Sequence, residues 1–136
     1  MRKVRVALGK ESYDIVIGHG LEEELQAFVR QAGFSRQAML VTDSNVGPLY
    51  GENVRAILEA GGLSVTVVTI PAGESSKSLA VAEKLYTRAI ELGLDRKSPI
   101  FALGGGVVGD LAGFIAATYM RGVPFVQLPT SLLAQV

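Results

Sequence analysis

The sequence predicts an α/β fold in which helices cover both faces of a parallel sheet and a β-hairpin precedes that sheet at the amino terminus. Short apolar segments rich in β-branched residues alternate with longer segments whose apolar positions recur at helical spacing. Such alternation produces repeated strand–helix–strand units, which form parallel sheets. The apolar segment 100–103 runs directly into glycines and then into another helical segment. A hydrophobic content of 49% in 136 residues is enough for one domain with a real core.

The hairpin is predicted from two short apolar segments and the turn that separates them. In residues 3–8, Val4, Val6 and Leu8 fall on one face of an extended chain. Residues 13–17 form the second segment, and residues 9–11 have the composition of a turn. We expect this hairpin to lie at the margin of the sheet.

The remaining elements alternate between helix and strand to the end of the chain. Gly33 is expected to end the first helix, and Gly61 with Gly62 the second. A polar loop at 71–76 follows the predicted strand at 63–70. The predicted helices cover 21–32, 54–59, 79–92 and the segment after the glycines, and the predicted strands cover 38–41, 63–70, 100–103 and 125–128.

Composition excludes several classes of protein. Lysine plus arginine number 13, as do aspartate plus glutamate, so the net charge is zero and no bulk field favours nucleic acid or an anionic membrane. No apolar run reaches the roughly 18 residues of a membrane span, and no signal-type apolar core follows Met1. The absence of cysteine removes disulfides and cysteine metal sites. We therefore expect a cytoplasmic protein that binds neither nucleic acid nor membranes.

A glycine motif predicts a nucleotide site. Gly104, Gly106 and Gly109 have the spacing G-x-G-x-x-G between a predicted strand and a predicted helix. In a Rossmann-like fold this motif lets backbone N–H groups approach a pyrophosphate and directs a helix amino terminus at its charge. The alternative is that the glycines only allow close packing of strand on helix, or a tight turn. The acidic residue that ordinarily follows about 20 residues later is absent, because the next strand ends in the sequence Pro-Thr-Ser.

The carboxyl ends of the predicted strands carry the candidate ligand-binding residues, since ligands of open α/β sheets bind beyond those ends. We expect them to converge on one edge of the sheet: Asp43, Asn45, Glu74, Lys77, the turn 104–110, Thr130 and Ser131. Each also has a structural interpretation. The first pair is typical of helix caps, the second of solvated loop charges, and the Thr-Ser pair of the start of a helix. Asp110 falls in the first turn of the predicted helix, where the macrodipole favours an acid.

Arg121 is a candidate of a different kind. It follows Tyr119 and Met120 at a predicted helix end and precedes Gly122. A cation at this position can neutralise the terminal carbonyl groups of the helix. It would equally suit the phosphate or carboxylate of a substrate, and the sequence leaves both roles open.

Several segments together resemble the 3-dehydroquinate synthase family. They read GGGVVGD at 104–110, AATYMRG at 116–122 and QLPTSLLAQV at 127–136, and the loop PAGESSKS at 71–78 fits the same family. The resemblance runs in order along the whole chain. This combination is far more specific than the glycine spacing alone.

The resemblance implies an activity and its cofactors. Members of the family convert 3-deoxy-D-arabino-heptulosonate 7-phosphate into 3-dehydroquinate and phosphate, the second step of the shikimate route to aromatic amino acids. Bound NAD oxidises a secondary alcohol of this sugar phosphate transiently and is regenerated within the cycle. A divalent metal, usually zinc or cobalt, polarises the oxygens concerned. The full-length enzyme is expected to be a homodimer.

The resemblance also implies roles for individual residues. Those that would contact NAD are Asp43, Asn45, Ala72, Gly73, Glu74, Ser75, Ser76, Lys77, Gly105, Gly106, Val107, Val108, Gly109, Asp110, Thr130 and Ser131. The first two resemble contacts to the adenosine end, 105–110 resembles the pyrophosphate turn, and the last two resemble contacts further along the dinucleotide. Glu74 and Lys77 would be the polar anchors of the loop 72–77. Arg121 resembles a catalytic-site ligand of the substrate phosphate that serves the active site of a partner subunit.

The resemblance implies that residues 1–136 are an NAD-binding α/β domain truncated before the metal-binding helical domain of the full enzyme. In the family, the metal ligands, one Glu and two His, lie in that following domain, so no metal ligand is expected here. We expect no catalytic turnover from these residues alone. The mean hydropathy of +0.34 also predicts apolar surface that a second domain or subunit covers. The alternatives are a related sugar-phosphate cyclase, a metal-dependent polyol dehydrogenase, or a non-catalytic nucleotide-binding or dimerisation module.

Overall fold

The computed structural model describes residues 1–130 and confirms the predicted alternation of strand and helix. The strands are β1 Arg2–Val6, β2 Tyr13–Ile17, β3 Gln37–Asp43, β4 Ser64–Ile70, β5 Ile100–Gly104 and β6 Phe125–Pro129. The helices are α1 Glu22–Gln31, α2 Glu52–Ala60, α3 Leu79–Glu91 and α4 Gly106–Thr118. Each lies within a few residues of its predicted bounds, because periodicity and glycine stops mark most of them in the sequence.

Strands β3 to β6 form a parallel sheet in the order β4-β3-β5-β6. The chain passes outward from β3 to β4, returns across β3 to β5 and continues outward to β6. The direction of winding therefore reverses between the neighbours β3 and β5, whose register places Thr42 beside Leu103. In open α/β sheets, the connections that leave such a switch point diverge to opposite faces and open a crevice for ligands.

The central strands are buried on both faces. Met39 and Val41 of β3 and Ile100 of β5 pack in the core beneath α3 and α4. Leu40 and Phe101, which point the other way, pack in the core beneath α1 and α2. This division confirms the predicted helices on both faces and explains why β3 and β5 are nearly continuous apolar runs.

The amino-terminal hairpin is confirmed, but its predicted place at the margin of the main sheet is wrong. β1 and β2 pair antiparallel as a separate two-stranded ribbon, in which Val4 lies opposite Ile15. Arg5 and Asp14 form an exposed ion pair across the ribbon, with 3.0 Å between Nη1 and Oδ1. The two strands pair with each other, and a hairpin of this kind needs no third strand. The alternating apolar residues that predict the hairpin therefore do not show whether it joins the main sheet.

The helices end at or near the predicted glycines. Gly33 and Gly62 adopt φ angles of +73° and +109°, which residues with a Cβ adopt only at a cost. The two longest helices, α3 and α4, have 13 residues each. None of the helices in residues 1–130 is long and apolar enough to cross a membrane.

Candidate functional site

Helix α4 begins directly after β5, one of the two strands at the switch point of the sheet. The helix begins at Gly106, and its N-cap residue, Gly105, has no side chain with which to cap it. By helix geometry the N–H groups of Gly106, Val107 and Val108 have no acceptor within the helix, whereas Gly109 N–H donates to Gly105 O at 3.0 Å. A Cβ on Gly106 would meet no atom of residues 1–130 within 4 Å. Free backbone donors, the positive end of the dipole and this space around Gly106 are together what a pyrophosphate site requires.

The other two glycines of the motif serve packing. A Cβ on Gly104 would lie 2.9 Å from Cγ2 of Val108, and a Cβ on Gly109 would lie 3.2 Å from Oε1 of Gln127. Both positions therefore need glycine, or a shift of the neighbour, to keep α4 close to β5 and β6. The packing alternative is confirmed for these two positions, whereas no atom of residues 1–130 contacts the Cβ position of Gly106.

Asp110 lies in the second turn of α4, so its predicted place in the first turn is wrong. The glycine run is itself helical from Gly106 onward, which starts the helix earlier than a glycine loop would. Asp110 instead accepts an ion-pair hydrogen bond, with 2.8 Å between its Oδ2 and Nζ of Lys77. The acid is therefore tied to the loop before α3 rather than to its own helix terminus.

Lys77 connects that loop to α4. Its Nζ lies 2.8 Å from Asp110 and 3.7 Å from Oε2 of Glu74. The hydrogen bond to Asp110 raises the pKa of Lys77, the charges of Asp110 and Glu74 add to the effect, and partial desolvation opposes it. The ammonium therefore stays charged at neutral pH. Because it has three donors and the side chain remains partly exposed, it can also bind an acceptor from outside the chain.

The rest of the loop 72–77 is held by hydrogen bonds to its own backbone and to the end of β3. Ser76 is buried, and its Oγ donates to the carbonyl oxygen of Pro71. Ala72 N–H donates to Oγ of Ser44 at 2.9 Å. Gly73 has a φ of +106°, a conformation that favours glycine. The hydroxyl of Ser76 is thus used inside the loop, whereas Glu74, Ser75 and Lys77 are exposed.

Asp43 closes the turn that follows β3. Its Oδ1 accepts from the N–H groups of Asn45 at 2.9 Å and Val46 at 2.8 Å, and a short π-helical segment, Gly47–Gly51, comes next. The N-cap position of that segment is Val46, and no side chain caps it, so the predicted helix cap by Asp43 and Asn45 is wrong and Asp43 instead closes an Asx turn before the segment. A carboxylate has about four lone-pair sites, so Asp43 keeps acceptor capacity for ligand hydroxyl groups. The side chain of Asn45 is exposed beside it.

Two further residues at this edge were missed in the sequence. Ser44 joins the ends of β3 and β4, because its N–H donates to Ile70 O at 3.0 Å and its Oγ accepts from the loop. Its position between the predicted site residues Asp43 and Asn45 is the signal that could have identified it. Thr42 is buried, and its Oγ1 has no hydrogen-bond partner within residues 1–130. No local signal marks Thr42, since its burial depends on the strands beside it.

Thr130 joins the same edge, but Arg121 does not. Thr130 N–H donates to Gly104 O at 2.9 Å, beside the start of α4; Ser131 lies outside the described residues. Arg121 follows α4, whose 13 residues span about 20 Å, so the residue lies at the opposite edge of the sheet. There Pro124 O accepts from Ile100 N–H, at the beginning of β5. Within residues 1–130 no group of three His, Cys, Asp or Glu side chains is placed to hold a metal ion.

A family model for the amino-terminal part of 3-dehydroquinate synthase matches residues 67–136, slightly more than half of the chain. The chain belongs to the 3-dehydroquinate synthase family. The segment matched contains the loop 72–77, the glycine motif and Arg121. The predicted family resemblance is confirmed.

Members of this family are similar to the chain over nearly all of its length. The 3-dehydroquinate synthase of Symbiobacterium thermophilum is 58% identical over 130 residues, which cover 95% of this chain and 36% of that protein. The chain spans a little over a third of the length of the curated relatives it matches.

Solved structures of cyclases share the fold. A 2-deoxy-scyllo-inosose synthase complexed with carbaglucose-6-phosphate, NAD+ and Co2+ superposes with a TM-score of 0.89 at 25% identity, covering 98% of this chain and 36% of that chain. The 2-epi-5-epi-valiolone synthase of Streptomyces hygroscopicus, with NAD+ and Zn2+ bound, has a TM-score of 0.75 at 31% identity, covering 93% and 35%. The similarity to both extends over the parallel sheet and its helices.

Proposed function

We propose that residues 1–136 are the amino-terminal part of a 3-dehydroquinate synthase, which converts 3-deoxy-D-arabino-heptulosonate 7-phosphate into 3-dehydroquinate and phosphate. Membership of the family supports this reaction. The chain is 58% identical to a 3-dehydroquinate synthase but only 25% and 31% identical to the two cyclases of known structure. The observation that carries the proposal is the open amino terminus of α4 at the switch point of the sheet. A family member with such a terminus has the means to hold a dinucleotide.

The residues present fit NAD. The N–H groups of Gly106, Val107 and Val108 bind the pyrophosphate, whose charge the end of the α4 dipole stabilises. The free acceptor sites of Asp43, with the amide of Asn45, bind hydroxyl groups at the adenosine end. Thr130, whose N–H donates to Gly104 O, contacts the dinucleotide further along, and the family resemblance assigns Ser131 the same role. When bound, NAD supplies a reversible hydride acceptor, which makes the C–H group beside the oxidised carbon acidic enough for elimination.

The loop 72–77 covers one side of this site. Glu74 and Lys77 are its polar anchors, and Asp110 holds the lysine ammonium at a fixed distance from α4. The ammonium is already paired with the carboxylates of Asp110 and Glu74, and its remaining donor capacity is what an acceptor group of the cofactor or substrate would use. Ala72, Gly73, Ser75 and Ser76 supply the loop backbone that closes over the cofactor.

Arg121 binds the substrate phosphate in the active site of a partner subunit. A guanidinium is suited to a phosphate because its planar donors match two oxygens at once. The location of Arg121 supports the assignment to a partner, since the length of α4 separates it from the nucleotide edge of its own subunit. The full-length enzyme is accordingly a homodimer.

The divalent metal, zinc or cobalt, is bound by a helical domain that follows these residues in the full-length enzyme. Residues 1–136 are one NAD-binding domain and have no turnover by themselves. The enzyme is cytoplasmic and acts on a sugar phosphate, not on nucleic acid or membranes. Exposed apolar side chains on this domain, such as Leu79 and Phe114, support its contact with further protein.

The test is a paired assay on the full-length protein. With NAD, a divalent metal and the heptulosonate phosphate, phosphate release and NADH absorbance are followed together. We expect phosphate release without accumulation of NADH, because the hydride returns to the substrate within each cycle. Net NADH formation from a polyol, with no phosphate release, would instead establish a dehydrogenase.

A further inference from the structure

The turn that carries Arg121 has an unusual backbone. Met120 adopts φ +50° and ψ +34°, Arg121 adopts φ +65°, and Gly122 adopts φ +114°. Three consecutive residues therefore have positive φ, although only the third is glycine. Residues with a Cβ keep this conformation only where the surrounding structure enforces it, and such strain concentrates at functional positions.

The first restraint on the turn comes from Tyr119. Its hydroxyl donates to the carbonyl oxygen of Leu94, in the segment before β5, at 2.9 Å. The ring packs against the core beneath α3 and α4. Gly122 N–H then donates to Tyr119 O, and Val123 N–H donates to Ala116 O, each at 2.8 Å. The two ends of the strained turn are thus tied to one another and to the body of the domain.

The second restraint comes from α3. Thr118 Oγ1 lies 2.7 Å from Phe114 O, and a carbonyl can only accept, so the single hydroxyl hydrogen of Thr118 is donated to it. The hydroxyl of Tyr86 is also hydrogen-bonded to Thr118 Oγ1, and it must therefore be the donor. This chain of hydrogen bonds fixes the last turn of α4 directly before the strained residues.

We propose that Tyr86 and Tyr119 are positioning residues that hold the Met120–Gly122 turn and so set the direction from which Arg121 meets its ligand. The inference rests on the proposed role of Arg121 as a ligand of the substrate phosphate. An exposed arginine on a loose loop would lose backbone and side-chain freedom on binding, whereas the restrained turn has lost its backbone freedom during folding. Neither tyrosine touches the phosphate, so both act through Arg121.

The experiment uses the full-length enzyme and a double-mutant cycle. Tyr119→Phe removes only the hydroxyl and should raise KM for the heptulosonate phosphate about tenfold while the Kd for NAD stays unchanged. In an Arg121→Ala background the same change should leave KM unchanged. Tyr13→Phe, which alters an exposed tyrosine of the hairpin, is the matched control and should have no effect on KM.

Met120→Gly separates positioning from stability. Glycine adopts positive φ without strain, so the thermal unfolding midpoint should stay the same or rise, but the freer backbone should raise KM. A fall in midpoint that parallels the rise in KM would refute positioning, as would a Tyr119→Phe effect that is absent or equal in both backgrounds. If Arg121→Ala itself leaves KM unchanged, the proposed role of Arg121 fails and the positioning inference fails with it, independently of the NAD site.

Discussion

Replacing Gly106 by alanine tests the open terminus of α4 most directly. No atom of residues 1–130 lies within 4 Å of a Cβ at this position, and alanine leaves the unfolded chain less freedom than glycine does, so the free energy of unfolding should stay the same or rise by up to about 1 kcal/mol. The methyl group would occupy the space through which phosphate oxygens approach the N–H groups. Loss of one hydrogen bond to a charged group costs about 1.5–3 kcal/mol. NAD should therefore bind roughly 10- to 150-fold more weakly.

Gly104→Ala is the matched control because it adds the same methyl group two residues earlier. There the new atom would lie 2.9 Å from Cγ2 and 3.0 Å from Cβ of Val108, which is buried and cannot move away freely. Overpacking of this kind destabilises by about 1–3 kcal/mol. The denaturation midpoint should fall, while the NAD affinity of the folded fraction should change less than in Gly106→Ala.

Both variants are measured in the full-length protein, with NAD binding by titration calorimetry and stability by denaturant unfolding. The reasoning predicts that affinity and stability respond at different positions. Unaltered NAD affinity in a folded Gly106→Ala protein would refute the pyrophosphate position at α4. An unaltered midpoint in Gly104→Ala would refute the packing role of that glycine.

Three further changes test other features of the structure. Thr42→Val removes a buried hydroxyl that has no partner within residues 1–130, so it should raise the free energy of unfolding by about 1 kcal/mol in a denaturant titration. Thr69→Val, at the exposed residue opposite it on β4, is the control and should not raise it. A destabilised Thr42→Val protein would show that the hydroxyl has a partner. Asp95 has a pKa below its ordinary value of 3.8, chiefly because the Ser35 hydroxyl donates to it, so its contribution is present above pH 3.8 and is lost as the pH falls through the lowered pKa. The difference in melting temperature between wild type and Asp95→Asn should narrow below pH 3.8, and a constant difference down to strong acid would contradict this. Ser78→Ala removes the side chain that caps α3, so it should lower the free energy of unfolding by about 1 kcal/mol in the same titration. An unchanged denaturation midpoint would show that the cap does not contribute to stability.

The elements and their order could be predicted because they depend on local patterns. The apolar runs of β3 and β5 indicate strands buried on both faces, and the amphipathic spacing of 79–92 indicates a surface helix. The confirmed position of the glycine motif between a strand and a helix, on which the predicted nucleotide site depends, is also a local feature of the sequence.

The contacts of the site could not be predicted in the same way. Lys77 and Asp110 are far apart in sequence, and they meet only because the loop 72–77 lies next to the first turns of α4. The motif also gives no sign that its glycines differ, although a Cβ on Gly104 would collide with Val108 and a Cβ on Gly106 would meet no atom of residues 1–130. Asp110 was misplaced because the sequence does not show where in a glycine run the helix begins.

The sequence by itself determined the α/β class, the family and the group of polar residues at the carboxyl ends of the strands, because alternation, helical spacing and motif order are properties of neighbouring residues. Only the tertiary structure decided which of these residues contact one another at that edge and where Arg121 lies relative to it. The order β4-β3-β5-β6 joins the ends of β3, β4, β5 and β6 at one side, and the length of α4 sends Arg121 to the other. Distances of this kind arise from strand order and helix packing, which involve residues too far apart along the chain to form a local pattern.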